Sequence, residues 1–329
     1  CMTEADSGSN GDNGQVTNPA ENTSDSGNGG GSNTNPTESK ATYTITFDAN
    51  GGSGEMKAQT AESGSEITLA ANAFTRDGWT FSGWATSAGV GVSYSDKAKI
   101  TLTGDITLYA TWGMTAASAV TAIADLTEEG THTVTVAGEI SSDDMTELAN
   151  AISGLAENVK IILDLGDTTG LTDIPAEFDL ENLAGIVIPA SVTKLSCLFW
   201  NNYNLSVLKV AENNPAYKSV GNIIYTKDGQ TLVLAAKNLT EVTIPSGVKT
   251  IGSWAFRQNF NLKKVSFEEG IVLETIEDNA FDSCGILTEI TLPSTLRTLG
   301  EYVFICCFEL KSITLPEGIK AIPTGAFTN

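Results

Sequence analysis

Four phenylalanines near the C-terminus, Phe256, Phe281, Phe304 and Phe327, follow one another at intervals of 25, 23 and 23 residues. A period of this length decides architecture before local propensity does, because a short repeated unit must stack on its neighbours to cover its apolar face. Other positions keep phase with the rings. Counting from each Phe, position +6 is Leu262, Leu287 or Leu310, position +9 is Val265, Ile290 or Ile313, and position +11 is Phe267, Leu292 or Leu315. Five residues before each ring stands Ile251, Ile276, Leu299 or Ile322. Looser copies reach upstream through Phe199, Leu205, Leu208 and Val210, and through Phe178, Leu183, Ile186 and Ile188.

Each copy predicts one short strand of the form apolar-x-apolar, as in Val242-Thr243-Ile244, Ile290-Thr291-Leu292 and Ile313-Thr314-Leu315, and a return segment carrying the Phe. Pro245, Pro293 and Pro316 follow those strands and end them, as Pro189 does earlier, since proline cannot continue a ladder. Strands of successive copies then lie side by side at about 4.8 Å in a solenoid. Position +3 reads Asn202, Asn259, Cys284 and Cys307, small groups suited to an inward ladder where an amide or thiol meets free backbone. The residue between the two buried ones faces out, giving Lys209, Thr243, Ser266, Thr291 and Thr314, and the residue before the pair gives a parallel column, Glu241, Lys264, Glu289 and Ser312. These nine residues are the candidate binding face. Threonine also favours strands for its own sake, so both explanations of the column stand.

The rest of the chain divides by composition. Residues 1–40 hold five apolar residues, no aromatic ring and the run Gly29-Gly30-Gly31, too little apolar surface to offset the entropy of ordering. They read as a disordered stem whose root-mean-square reach is roughly 35 Å. Residues 41–113 change abruptly to period-two alternation in Thr42–Phe47 and Ile106–Trp112, with Asn50-Gly51-Gly52 as a turn and rings such as Phe47, Phe74, Trp79, Phe81, Trp84 and Trp112 as core. A carbohydrate or peptide site on Trp79 or Trp84 is the alternative use of those rings. Residues 114–170 read as helix, strand, helix, strand. Met145, Leu148, Ala149, Ile152 and Leu155 recur at helical spacing behind a cap expected at Ser142, Gly154 lies near that helix's end, and Val159, Ile161, Leu163 and Leu165 alternate as a strand. The segment serves as an α/β N-terminal cap for the solenoid of residues 171–329. The fold class is therefore multidomain: stem, small β-rich domain, cap, solenoid.

Two stretches resemble known families. Tyr43-Thr44-Ile45-Thr46-Phe47-Asp48-Ala49-Asn50-Gly51-Gly52, Phe74-Thr75-Arg76-Asp77-Gly78-Trp79-Thr80-Phe81-Ser82-Gly83-Trp84 and Leu108-Tyr109-Ala110-Thr111-Trp112 are similar to an internalin-type B-repeat, also called the Listeria-Bacteroides repeat. That resemblance implies a small β-grasp-like domain of a bacterial surface protein. Val248-Lys249-Thr250-Ile251-Gly252-Ser253-Trp254-Ala255-Phe256 and Ala280-Phe281-Asp282-Ser283-Cys284-Gly285-Ile286-Leu287-Thr288-Glu289-Ile290-Thr291-Leu292-Pro293 resemble the BspA-like leucine-rich repeats. Asn213-Asn214-Pro215-Ala216-Tyr217 and the stretch Ile223–Leu234 look like that family's β-hairpin insertion, at about 213–236, with Asp228-Gly229 at its turn. The resemblance implies adhesion to host extracellular matrix or cell-surface proteins, or to other bacterial surface proteins. No closing cap follows Phe327, which leaves a C-terminal truncation open. Cys1 followed by a polar tether resembles a processed lipoprotein, which implies lipid attachment at Cys1, no other contact with membrane, and a position on the outer side of the bacterial envelope.

Composition weighs against several chemistries. With 18 Lys+Arg against 40 Asp+Glu the net charge is −22, which disfavours nucleic acid, whose phosphates need cations. One histidine in 329 residues leaves little for zinc sites or imidazole catalysis, and no calcium loop, phosphate loop or nucleophile elbow is present in the sequence. His132 shares a strand face with Val134 and Val136 and reads as structural. Cys284 and Cys307 read as buried thiols, with an inter-rung disulfide as the other arrangement. The expectation is a non-enzymatic surface protein with no cofactor or metal, binding macromolecules through the solenoid. An envelope protein without a host ligand is the second reading.

Overall fold

The computed structural model describes residues 40–329 apart from Val90, Cys197, Leu198, Asn201, Asn329 and the side chain of Glu177. Cys1, Cys197 and the stem assigned to residues 1–40, Lys40 excepted, lie outside the described residues. The alternation near residues 42–114 produces six strands, β1 (Thr42–Asp48), β2 (Gln59–Glu62), β3 (Glu66–Thr68), β4 (Trp79–Ala85), β5 (Lys99–Thr101) and β6 (Ile106–Met114). β1 lies parallel to β6, with β2 antiparallel on its other side and β4 antiparallel to β6. A small β3–β5 pair packs in the crossover. Trp84 is fully buried against Phe47, Phe74 and Phe81, with centroids 4.8, 6.1 and 4.9 Å away, so that ring is core. The exposed face of Trp79 is covered by the Arg76 guanidinium at 4.0 Å. The turn uses Asn50 and Gly51 at positive φ, and at Gly52 a Cβ would stand 2.6 Å from Trp112 Cζ2, so only glycine fits beneath that indole.

Beyond β6 come α1 (Ala116–Ala124), β7 (Gly130–Glu139), α2 (Ser142–Ser153) and β8 (Val159–Thr169). α2 buries Met145, Leu148, Ala149 and Ile152, as the spacing predicts. Its N-cap is Ser141, one residue before the expected Ser142. Ser141 is extended, its hydroxyl accepts from the Asp144 N–H, and the Asp144 carboxylate accepts from the Ser141 N–H, which completes a capping box. Gly154 closes the helix in right-handed geometry and does not use glycine's left-handed freedom. β7 and β8 pair in parallel along most of their length, and Met114 of β6 bridges to Val136 of β7. At that junction a side chain on Gly113 would come within 2.5 Å of Ala137 Cβ, so the glycine permits the approach.

The repeats supply β9 (Asp173–Ile174), β10 (Leu183–Ile188), β11 (Lys194–Leu195) and β12 (Val207–Val210). An insert then gives β13 (Tyr217–Val220), β14 (Ile223–Thr226) and β15 (Thr231–Ala235). The regular turns follow with β16 (Glu241–Ile244), β17 (Thr250–Ile251), β18 (Lys264–Phe267), β19 (Thr275–Ile276), β20 (Glu289–Ile290) and β21 (Thr298–Leu299). β8, β10 and β12 lie side by side, so β8 continues the sheet of β10 and β12. β16, β18 and β20 form a second parallel sheet, while β15, β17, β19 and β21 form a parallel ladder on the return side. The insertion is a three-stranded meander and not a simple hairpin. Gly221-Asn222, both at positive φ, turn β13 into β14, and Asp228-Gly229 turn β14 into β15 as expected. β15 then replaces the return strand of its own turn, which keeps the stack continuous.

The phased rings stack in the interior. Phe256, Phe281, Phe304 and Phe327 lie 5.0, 5.3 and 5.7 Å apart, centroid to centroid, with interplanar angles of 3°, 11° and 9°. Ile251, Ile276 and Leu299 are buried one behind the other, but Ile322, which holds the same phase, is 64 % exposed. Residues 312–315 likewise form no strand. A solenoid side chain is covered by the turns on both sides of it, and the turn that carries Ile322 is the final one described.

Candidate functional site

The predicted face is assembled in part. In the sheet of β16, β18 and β20, Glu241, Lys264 and Glu289 occupy one row, and Thr243 pairs in register with Ser266 in the next. Lys264 Nζ lies 2.9 Å from Glu289 Oε2, and this hydrogen bond, with the charge behind it, raises the lysine's pKa. Both side chains are largely exposed, so the pair orders the surface more than it stabilises the fold. Thr291 follows directly on β20.

Three of the nine residues stand elsewhere. Lys209 lies in β12, the edge of the sheet built from β8 and β10, because the insert of β13–β15 separates that edge from β16. Ser312 and Thr314 belong to the turn that forms no strand, so they extend the face without joining its ladder. The parting of that turn from β20 opens a shallow depression of about 760 Å³ lined by Thr291, Leu292, Arg297, Thr314 and Leu315 among others. A second depression of about 390 Å³, lined by Lys264, Ser266, Phe267, Glu289 and Thr291, runs into it through the shared Thr291 and Leu292. The face is therefore a shallow groove, open to solvent, with a charged row along one side.

The inward ladder forms as the +3 positions predict. Asn202 donates from Nδ2 to the carbonyls of Leu180 and Leu183, Asn259 to Ala236 at 2.9 Å, and the thiols of Cys284 and Cys307 to Phe256 and Phe281 at 3.1 and 3.2 Å. Cys284 and Cys307 are free thiols, and burial holds the first well above the ordinary thiol range and pushes the second up to about 12. Asn182 continues the ladder one turn earlier, bonding Ala156 and Val159, a member that its phase of +4 from Phe178 concealed.

The sequence reading missed Lys237, which is 1 % exposed inside the solenoid and donates to the Arg257 carbonyl. The backbone explains the position. Trp254 and Gln258, Asn279 and Ser283, and Tyr302 and Cys306 flank their Phe at −2 and +2 with positive φ. This alternation turns N–H groups toward the following turn. Phe256 donates to Ala280 at 2.8 Å, Gln258 to Asp282 at 2.7 Å, Phe281 to Val303 at 3.0 Å and Phe304 to Ala326 at 2.9 Å. The peptide dipoles add, and their carbonyl ends at Ala255 and Arg257 face the turn that holds Lys237. Burial nonetheless lowers the Lys237 pKa to about 8, with the Arg257 cation acting in the same sense and Cys284, Asp179 and Asp282 opposing it. Nothing in the composition marks this lysine, since it stands just after the insert, where the phase is interrupted.

Other candidates are structural by position. His132 Nε2 lies 2.8 Å from the Glu128 carbonyl, and Asp144 serves its helix cap. Among the described residues no group of three or more His, Cys, Asp or Glu side chains is placed to hold a metal ion, and no helix is long and apolar enough to cross a membrane.

Comparison with known proteins follows the same division of the chain. Residues 232–329 match the BspA type leucine rich repeat region in six copies, and residues 43–111 match the Listeria-Bacteroides repeat domain. These are the two families that the residue patterns resemble. The looser turns upstream of residue 232 fall outside the first match. No curated protein matches the chain. Among solved structures, a leucine-rich repeat protein from Eubacterium ventriosum is 23% identical over 60% of this chain and 70% of its own, with a TM-score of 0.44. A leucine rich cell surface protein from Faecalibacterium prausnitzii is 24% identical over 60% of this chain and 50% of its own, with a TM-score of 0.43. The pneumococcal vaccine antigen PcpA is 23% identical over 51% of this chain and 48% of its own, with a TM-score of 0.37. The chain thus spans about half the length of the last two.

Proposed function

We propose that this chain is a bacterial surface protein that binds another protein through its solenoid, and that the contact is adhesive, to host matrix or cell-surface proteins or to proteins of neighbouring bacteria. The observation that carries the reading is the groove along β18 and β20, where Lys264, Ser266, Glu289 and Thr291 line one continuous depression. A shallow, polar, repeated surface suits a macromolecule, which makes many small contacts, better than a small substrate, which needs enclosure. The two repeat families support a place at the cell surface. The ion pair of Lys264 with Glu289 favours a second reading, because a row whose charges satisfy one another can belong to an envelope component with no ligand.

One experiment separates them. The full chain is titrated with immobilised matrix proteins and intact cells, beside a Ser266→Arg variant that places bulk in the groove without touching the core. Adhesion predicts saturable binding that the variant loses while its melting temperature stays put. Absence of binding by the unmodified chain, with unchanged attachment of cells that lack it, leaves the envelope reading.

A further inference from the structure

The strands of the insert stand between two hydrophobic cores and send side chains into both. Ile224, Leu234 and Ala236 pack into the core of the preceding turns, with Phe178, Phe199 and Leu208, whereas Ile223, Tyr225, Leu232 and Ala235 pack into the core built on Phe256, Phe281 and Phe304. Strand pairing accounts for the division, since residues opposite one another in a sheet share a face. Ile224 lies opposite Leu234 and faces the first core, while Ile223 lies opposite Ala235 and Tyr225 opposite Leu232, facing the second. The register shift between Ile224 and Tyr225 takes up the extra residue Val233, without which Leu232 and Leu234 would point the same way. β14 and β15 thus form a partition across the solenoid.

Backbone bonds tie the partition to one side. β15 begins the ladder of β17, β19 and β21, while β11 pairs only with β9. On the strand face β16 pairs with β18, but the free edge of β12 meets two side chains, the Leu208 N–H donating to Asn222 Oδ1 at 3.4 Å and that of Val210 to Ser219 Oγ at 2.9 Å. Among the described residues a single backbone bond, from the Lys237 N–H to the Leu205 carbonyl at 2.7 Å, crosses from the turns ending in β12 to those beginning with β15. The stability of stacked turns is close to a sum of each turn's own contribution and its contacts with the next, so a junction without ladders is where cooperativity breaks.

Side chains take the place of the missing ladders. Ala235 donates to Ala255 as Phe256 does to Ala280, so it holds the position of the ring in its turn. Glu241 stands six residues after Ala235, whereas Lys264 stands eight after Phe256 and Val207 eight after Phe199. Over this shorter turn the neighbours on either side touch. Trp200 meets Trp254 at 5.3 Å and Tyr203 meets Phe260 at 5.8 Å between centroids, and the Arg257 guanidinium, held by Asp282 at 3.0 Å, lies 4.4 Å over Trp200.

We propose that the partition divides the solenoid into two cooperative bodies, coupled largely by the clasp of Trp200 and Tyr203 on Trp254, Arg257 and Phe260. The C-terminal body keeps the partition as its own cover and stays folded when the turns of β9 to β12 unfold, which insulates the turns that bear the groove. The test follows hydrogen exchange of the full chain by mass spectrometry along an equilibrium urea titration, reading peptides from 171–211, 217–235 and 241–311. The first stretch should lose protection at lower urea than the other two, and the partition should melt with 241–311 even though Ile224 and Leu234 belong to the other core. A Trp200→Ala/Tyr203→Ala variant, whose replaced side chains are partly exposed, should lower the first midpoint, by about tenfold or more in the equilibrium constant of that step. The second midpoint should stay in place, because the clasp is already lost when that step begins. Phe308→Ala, at an exposed ring of the C-terminal body outside the clasp, should leave the first midpoint unmoved. One shared midpoint for all three stretches overturns the proposal. A partition that melts with 171–211 does so too, as does a clasp variant that moves both midpoints together or neither.

Discussion

Lys237 meets the backbone carbonyl of Arg257 inside the solenoid, one turn ahead of the first of the stacked phenylalanines. The carbonyl belongs to a column of peptide units whose N–H groups all donate toward the C-terminal turns. An ammonium at the carbonyl end of aligned dipoles is placed where a positive charge is favoured, while burial disfavours that same charge.

The conflict makes stability depend on pH in a defined direction. The Lys237 pKa is lowered from 10.5 to about 8 on folding, so between those values the unfolded chain binds more protons and stability rises with pH. The full cost of the buried charge is present below about pH 8. At 1.36 kcal/mol per unit the whole window is worth on the order of 3 kcal/mol. Because the buried thiols of Cys284 and Cys307 oppose this above about pH 9, the measure is the difference between parent and Lys237→Met, and in urea titrations from pH 7.5 to 10.5 the parent should gain on the variant as pH rises. A parent that gains nothing on the variant across the window would rule the account out.

Phe281 has a stacked ring on each side, at 5.0 and 5.3 Å, and no exposure. Phe281→Ala should destabilise the solenoid by about 3–5 kcal/mol, since the rigid stack cannot collapse into the space. Phe281→Leu should cost less than half of that. Denaturant midpoints followed by tryptophan fluorescence check both values.

The thiols of Cys284 and Cys307 should resist alkylation in the native protein, because burial keeps the reactive thiolate from forming. Cys306, half-buried on the same turn as Cys307, should label before either of them. Mass spectrometry after brief iodoacetamide treatment at pH 8, with and without urea, reads the order. Early labelling of Cys284 in native buffer would contradict the ladder.

Gly52→Ala should destabilise the β1–β6 domain by about 2 kcal/mol or more, as its Cβ would stand 2.6 Å from Trp112 and 2.9 Å from the Thr75 carbonyl. The solenoid should keep its own transition. A variant whose first transition coincides with that of the parent would show that the turn relaxes freely.

The period carried most of the fold, because a residue repeated in phase has the same neighbours in every copy. That is why the phenylalanine stack, the Asn and Cys ladder and the outward rows were legible from positions alone. Where the phase slips, the reading failed for physical reasons. Asn182 stood one position out of register, Lys237 lay just past the insert, and the Ser141 cap depended on a backbone angle that separates it from its neighbour Ser142.

The amino-acid order by itself determined the stacked turns around Phe256, Phe281 and Phe304 and the ring-filled β-rich stretch of residues 41–113, since both follow from which residues are apolar and how often they recur. Only the tertiary structure decided which turns share a sheet. The insert placed Lys209 apart from Glu241, and Ser312 and Thr314 keep phase with the strands without pairing in their ladder. Whether a side chain is paired or covered is a property of neighbouring turns, and no single turn encodes its neighbours' positions in space.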